Sequence, residues 1–352
     1  MDNDYDEKHW IDIVKHALSK HGFDSESVEM IRLGGLSNMN YKVIVGSGEG
    51  LRCYLLKVLN QGNAFFVDRD LERQVIKAGS QVGLSPKVIE DQKGYRIQEF
   101  IPGDEIILED LQIEESSLKK DLVGSIVNFQ SKLTSILDHL LKEEPMLVRF
   151  LKKIPIIHSK IVKELQENKL TNKIFLLDSI AELAKDQPLL LSYLSTFNGP
   201  VKICHNDLNL TNCLKLRHTE SPHKPNPLQI LLLDMEYAGP NFIHFDLANL
   251  LHELDCTYPS TVPYFTMHSH TYSKALKASI ASLYYTQTQE CAYVDMPQFI
   301  EDVMQWQMFA LYYWLWLCVN DACGGWPGTR VYVENKMERY RDMREKLFGN
   351  DG

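Results

Sequence analysis

An α+β fold in two unequal lobes is what the 352-residue sequence predicts. Three observations lead there. The first hundred residues read as strands around one internal helix, IPG at 101–103 marks a boundary, and helical spacing dominates the remainder. A chain of this length exceeds one comfortable hydrophobic core. A small β-rich lobe over residues 1–100 and a large, mainly helical lobe over 101–352 is the expected division.

The elements follow in order. Trp10, Ile11, Val14 and Leu18 share one helical face, which predicts an amphipathic helix over 6–22. EMIRLGGLSNMNYKVIV reads as strand, glycine turn, strand, and LRCYLLKVL as a third strand after the turn GSGEG. Residues 67–82 have helical spacing, and GLSP stops them. PKVIEDQKGYRIQEFI alternates around DQKG, as a hairpin does. Beyond IPG, helices are expected over 116–142, 147–168, 172–196, 270–288 and 296–319. The exception is 200–238, where two short strand-like runs flank a polar motif and RHTESPHKPNP reads as an exposed insertion. No internal repeat is visible.

Composition narrows the class. With 44% hydrophobic and 24% charged residues the chain is ordinary and globular. Its 37 basic and 47 acidic side chains leave a net charge of −10, which argues against a nucleic-acid partner and mildly favours cationic small molecules. MDNDYDEKHW lacks a basic region followed by an apolar core. The most apolar run, MFALYYWLWLCV at 308–319, falls short of the ~20 residues that a spanning helix needs. The seven cysteines form no CxxC pair, as suits free thiols. Together these features predict a cytoplasmic protein with no membrane insertion.

The polar motif is HNDLNLTNCL, residues 205–214. Phosphoryl transfer needs a group to orient the attacking hydroxyl, oxygen ligands for Mg²⁺ and a cation on the nucleotide phosphates. Protein kinases meet the first two needs with H-R-D-x-x-x-x-N and a later Asp at a strand end. Here Asp207 and Asn212 have that spacing, and LLLD brings Asp234 to the end of an apolar run. Asn212 and Asp234 are oxygen ligands of the kind Mg²⁺ takes. Lys57 inside YLLKVL and Glu72 on the following helix supply a candidate phosphate cation and its ion-pair partner. Gly34-Gly35-Leu36-Ser37-Asn38 sits between two strands, where a cover over nucleotide phosphates belongs. Each element alone has a plain structural reading: a surface turn, an edge-strand lysine, a solvated helix face, a hairpin turn. Their joint order is what favours the chemistry.

Taken together, GGLSNMNYKV, YLLKVL, LERQVIKAGSQVGLSPKVI, YRIQEFIPG, HNDLNLTNCL and LLLDMEYAGPNFIHFDLANLLHE resemble the choline/ethanolamine kinase family. The last block is the most specific of these. The resemblance implies a protein-kinase-like fold, ATP and Mg²⁺ as cofactors, a homodimer, and phosphorylation of the hydroxyl of choline or, as the alternative, ethanolamine. It implies Asp207 as catalytic base and Asn212 and Asp234 at Mg²⁺. On the nucleotide it implies Gly35, Ser37, Asn38, Lys57, Glu72 and a hinge that includes Gln98, Phe100 and Ile101. Asp246 resembles an aspartate that braces the catalytic loop, a role compatible with capping the helix LANLLHE. Glu253, Tyr258 and Trp314 map onto acceptor positions, where aromatic faces and a carboxylate suit an ammonium group. Leu317 and Asn335 stand where the family has aromatics. Most of the aromatic helix 301–319 is expected in the core. An aminoglycoside-type or other hydroxyl phosphotransferase is a further alternative, and a catalytically dead binding module is the rival from another class.

Overall fold

The computed structural model describes residues 3–23, 27–33, 38–46, 51–59, 66–113, 117–167, 173–217, 230–259, 261–262, 265–267, 273–288, 291–321 and 327–349. The expected α+β class and its two-lobed, protein-kinase-like arrangement are present.

Helix α1 (Asn3–Lys20) lies against a five-stranded sheet of order β1-β2-β3-β5-β4. Its strands are β1 (Val28–Leu33), β2 (Met39–Val45), β3 (Arg52–Val58), β4 (Val88–Asp91) and β5 (Tyr95–Glu99). Val14 and Leu18 are fully buried with Val43, Leu56 and Ile97 of the sheet. Complete burial of such a side chain stabilises by about 1.5–3 kcal/mol. Helix α2 (Arg69–Gln81) starts on Asp68, whose carboxylate accepts from Leu71 N at 3.1 Å. It ends where Gly83 takes φ 73° and Leu84 N turns back to Gly79 O. That is the stop expected from GLSP.

Strand register sets up the electrostatics of this lobe. Lys57 on β3 stands opposite Asn40 on β2 and Arg96 on β5. Two buried cations are therefore cross-strand neighbours, and carboxylates must answer them.

Strand β6 (Gly103–Glu105) leaves the sheet and pairs with β8 (Cys213–Leu216), which pairs in turn with β9 (Ile230–Leu232). Gly103 is required here, because a Cβ would lie 2.5 Å from Leu214 Cγ and 2.7 Å from Lys215 O. Helices α3 (Leu108–Gln112), α4 (Leu118–Ile136), α5 (Met146–Glu167) and α6 (Lys173–Thr196) follow. The helix expected over 116–142 is divided: α4 ends at Ile136, and Asp138–Lys142 is a 3₁₀ turn. Strands β7 (Val201–Cys204) and β10 (Gly239–Phe242) form an antiparallel ribbon, and α7 (Ile243–Glu253) starts directly after it. Short strands β11 (Cys256–Thr257) and β12 (Thr266–Met267) precede α8 (Ser273–Gln287), α9 (Met296–Asp321) and α10 (Thr329–Phe348). The insertion expected at 217–227 lies almost wholly outside the described residues.

Helix α9 is buried nearly all round. Trp306, Phe309, Tyr312, Tyr313 and Trp316 all lie in one apolar core with α5, α6 and α10. Helical spacing of apolar residues does not anticipate α10. Its buried stripe is Tyr332, Val333, Lys336, Met337 and Tyr340, with a lysine at the centre. No helix among the described residues is long and apolar enough to cross a membrane.

Candidate active site

The loop 205–212 is held from below by α7. Asp246 is completely buried, and its Oδ2 accepts from His205 N at 3.0 Å and Gln130 Nε2 at 2.8 Å. Its Oδ1 accepts from Asn206 N at 2.7 Å. It does not cap α7: the residue at the cap position is Phe242, and Asp246 lies inside the first turn. His205 Nε2 donates to Leu233 O at 2.7 Å, while Nδ1 faces the Asp207 N–H at 3.3 Å. That pattern assigns a neutral ring with its proton on Nε2, and burial lowers the ring's pKa accordingly. Asn206 adopts φ 66°, which bends the chain sharply before Asp207. Its amide donates to Tyr237 O at 2.9 Å and Gly239 O at 3.3 Å, and its carbonyl accepts from Asn241 Nδ2 at 2.8 Å.

Asp207 sits at the mouth of this turn. Asn212 Nδ2 donates to its Oδ2 and to its backbone carbonyl, both at 2.9 Å, and Asn209 Nδ2 reaches Oδ1 at 3.2 Å. Asn209 also caps the short turn 210–212 by accepting from Asn212 N at 3.0 Å. Burial raises the Asp207 pKa well above the usual carboxylate range; the fields of Asp234, Glu253 and Glu236 add to it, and the Asn212 hydrogen bond opposes it. Asp234 follows β9 with φ 59° and ψ 66°, a left-handed conformation that Asp tolerates at a cost. Lys57 Nζ donates to Asp234 Oδ1. Burial disfavours the Lys57 charge, but Asp234, Glu236 and Glu72 outweigh it and raise the pKa.

The anticipated Lys57–Glu72 ion pair is not formed. Glu72 instead accepts from Arg96 at 2.6 Å and from Arg69 at 2.7 Å. Cross-strand geometry gives the reason. Lys57 and Arg96 compete for the carboxylate from adjacent strands, the guanidinium wins the direct bond, and the ammonium turns to Asp234. Glu72 still acts on Lys57 through space. Asn38 donates to Glu236 Oε2 at 2.8 Å, and Arg69 reaches the same oxygen at 3.2 Å. Gly35 and Ser37 lie outside the described residues. Gln98 lies on β5 opposite Leu55, the Phe100 N–H is taken by Cys53 O at 3.3 Å, and Ile101 follows before β6. Arg96, Arg69, Glu236, Asn249 and Lys336 escape a reading of the sequence. Only Glu236, two residues past Asp234, carries a local signal.

On the acceptor side, Glu253 ends α7. Its Oε2 accepts from the Tyr258 hydroxyl at 2.8 Å, and its Oε1 from Lys336 Nζ at 2.8 Å. Lys336 has no exposed surface, and its Nζ lies 4.3 Å from the Tyr332 ring centre and 5.7 Å from that of Phe265. Trp314 is the half-buried member of its helix's aromatic set. Its Nε1 donates to Asn249 Oδ1 at 2.5 Å, Asn249 Nδ2 holds Leu208 O at 3.0 Å, and the Tyr237 ring stands edge-on at 5.3 Å. Asn335 turns to its own helix, donating to Val331 O, and Leu317 packs on the core.

The donor set fits a hard divalent cation. Both amide hydrogens of Asn212 point to Asp207, which leaves its Oδ1 as a bare acceptor. Asp234 Oδ2 bonds no protein group among the described residues. Amide and carboxylate oxygens are what Mg²⁺ prefers.

Comparison with known proteins agrees with this architecture. A family model described as choline/ethanolamine kinase matches residues 28–323. A probable choline kinase of Arabidopsis thaliana is 24% identical over 338 residues, covering 94% of this chain and 88% of that protein. The crystal structure of a choline kinase from Cryptosporidium parvum superposes with a TM-score of 0.68 at 18% identity, over 97% of this chain and 96% of the other. An ethanolamine kinase of Plasmodium vivax gives 0.64 at 16% identity, over 94% and 89% of the two chains. With a match over most of its length and the lobes and loop described above, this chain belongs to the choline/ethanolamine kinase family.

Proposed function

We propose that the chain transfers the γ-phosphate of ATP to the hydroxyl of a small amino alcohol, choline or ethanolamine. The observation that carries this reading is the convergence of Asp207, Asn212 and Asp234 beside Lys57. Asp207 orients the acceptor hydroxyl and takes its proton as the oxygen attacks. Asn212 and Asp234 would hold Mg²⁺, which supplies charge neutralisation on the phosphates when bound. Lys57 binds phosphate oxygens, Arg96 and Arg69 hold Glu72 in place, and the hinge at Gln98, Phe100 and Ile101 meets the adenine. Gly35, Ser37 and Asn38 cover the phosphates. Glu253, Tyr258 and Trp314 receive the ammonium end of the acceptor.

Of the two, ethanolamine is favoured by one observation: Glu253 already carries the Lys336 ammonium. The family resemblance also implies a cytoplasmic homodimer, which light scattering on the purified chain checks. The function itself is tested by ADP release against choline, ethanolamine and a panel of aminoglycosides. Mg²⁺-dependent release with the two amino alcohols alone is expected. Release with aminoglycosides only, or no Mg²⁺-dependent ATP binding by calorimetry, overturns the reading.

A further inference from the structure

Lys336 is a buried ionisable residue of the acceptor region whose chemistry the proposed reaction does not use. It projects from the middle of α10 on the buried stripe Tyr332–Val333–Lys336–Met337–Tyr340. Its stem is enclosed, and its ammonium meets a carboxylate at 2.8 Å and an aromatic face at 4.3 Å. That environment is the one a bound organic cation would seek: one negative charge and ring faces in a desolvated site. Glu253 is only 10% exposed, so its charge must be answered from within or by a ligand. Tyr332 is buried under Phe265, with ring centres 4.8 Å apart, and Phe265 packs on Tyr258 at 5.3 Å.

We propose that Lys336 is a built-in counter-cation that sets acceptor specificity, favouring a primary ammonium over a quaternary one. This rests on the amino-alcohol kinase reading above. A trimethylammonium group has no N–H and binds only through charge and open aromatic faces. Lys336 takes the Tyr332 face and shares the carboxylate. A primary ammonium retains a second route. A carboxylate offers about four lone-pair sites, and Glu253 spends one on Lys336 and one on Tyr258. A hydrogen-bonding headgroup can use those that remain. The missing aromatics act in the same direction, because Leu317 and Asn335 contribute no ring to replace the occupied one.

The test uses the purified full chain and two substitutions. Lys336→Met removes the ammonium and keeps the stem. Lys336→Gln keeps a donor toward Glu253 without the charge, and serves if the methionine variant does not fold. Specificity constants are measured for choline and ethanolamine side by side. The choline-to-ethanolamine ratio should rise about tenfold in either variant, the scale of one desolvated cation–aromatic contact. Calorimetry gives an independent readout: tetramethylammonium should bind the variants about tenfold tighter than the wild type. On the wild-type chain alone, methylammonium should bind at least about tenfold tighter than tetramethylammonium. An unchanged ratio with unchanged tetramethylammonium affinity overturns the assignment while leaving the kinase reading intact, as does equal binding of the two ammonium ions by the wild type. Tighter tetramethylammonium binding in variants, with neither amino alcohol phosphorylated by any form, supports the Lys336 assignment and overturns the kinase reading.

Discussion

Replacing Asp246 with asparagine keeps the side chain's shape but exchanges one acceptor oxygen for a donor. The wild-type carboxylate accepts three hydrogen bonds in a site without solvent: from His205 N, Asn206 N and Gln130 Nε2. An asparagine oxygen at the Oδ2 position keeps the first and third, and its amide then faces the Asn206 N–H. Gln130 cannot flip to help, because its own oxygen is held by the Tyr284 hydroxyl. Two buried donor groups, the Asn206 N–H and the new amide, are left unpaired, at about 1–3 kcal/mol each, and two charge-assisted bonds become neutral ones, at roughly 1 kcal/mol each. Relief from burying a charge offsets part of this, so the net loss should be about 2–4 kcal/mol. Urea unfolding measures it as a lower midpoint with unchanged slope. The loop that carries Asp207 also loosens, and a displacement near 1 Å costs about a hundredfold in rate. Turnover should fall on that scale while calorimetry finds ATP affinity within about twofold of wild type. A stability loss below about 0.5 kcal/mol with normal turnover would refute the bracing argument.

Two further substitutions probe the same framework. Asn206→Ala loses three side-chain hydrogen bonds and leaves an alanine at φ 66°, and should destabilise by about 2–4 kcal/mol in urea unfolding. Asn206→Gly should recover the part due to backbone strain, and equal losses in the two variants would remove strain from the account. Glu72 has a lowered pKa in the fold, because the fields of Arg96, Lys57 and Arg69 outweigh its burial. Its stabilising contribution is therefore complete above the unfolded-state value and is lost as pH falls through the lower folded value. Glu72→Gln should lower the melting temperature near neutrality and flatten its decline below about pH 4. Parallel melting curves for variant and wild type across that range would contradict the assignment of the charge.

The elements that could be read from the sequence are those whose burial pattern is simple. The amphipathic α1, the alternating strands and the GLSP stop each follow from side-chain period or a backbone constraint. Helix α10 hides because the centre of its buried stripe is Lys336, a residue that pattern reading assigns to solvent. Its i,i+4 pairs Arg330–Glu334 and Asp342–Lys346 were the available signal. The break after Ile136 has no proline or glycine to announce it. In the site, the spacing of Asp207, Asn212 and Asp234 was legible because one short loop and one strand end carry them. The partner of Lys57 was not, since it depends on which cation stands opposite it across the sheet. Asn206 and Asn209 had no role visible in the sequence. The structure gives one a left-handed turn braced by three backbone and side-chain partners, and the other the cap of the turn before Asn212.

Phosphorus NMR of the product formed from ATP tests the central claim most directly, with choline and ethanolamine each offered to the wild-type chain and to Asp207→Asn. The account predicts a phosphate monoester of the amino alcohol from the wild type. It predicts at least about a hundredfold slower formation by the variant, with ATP affinity little changed. Monoester formation by Asp207→Asn at the wild-type rate, or no monoester of either amino alcohol from the wild type, would contradict it.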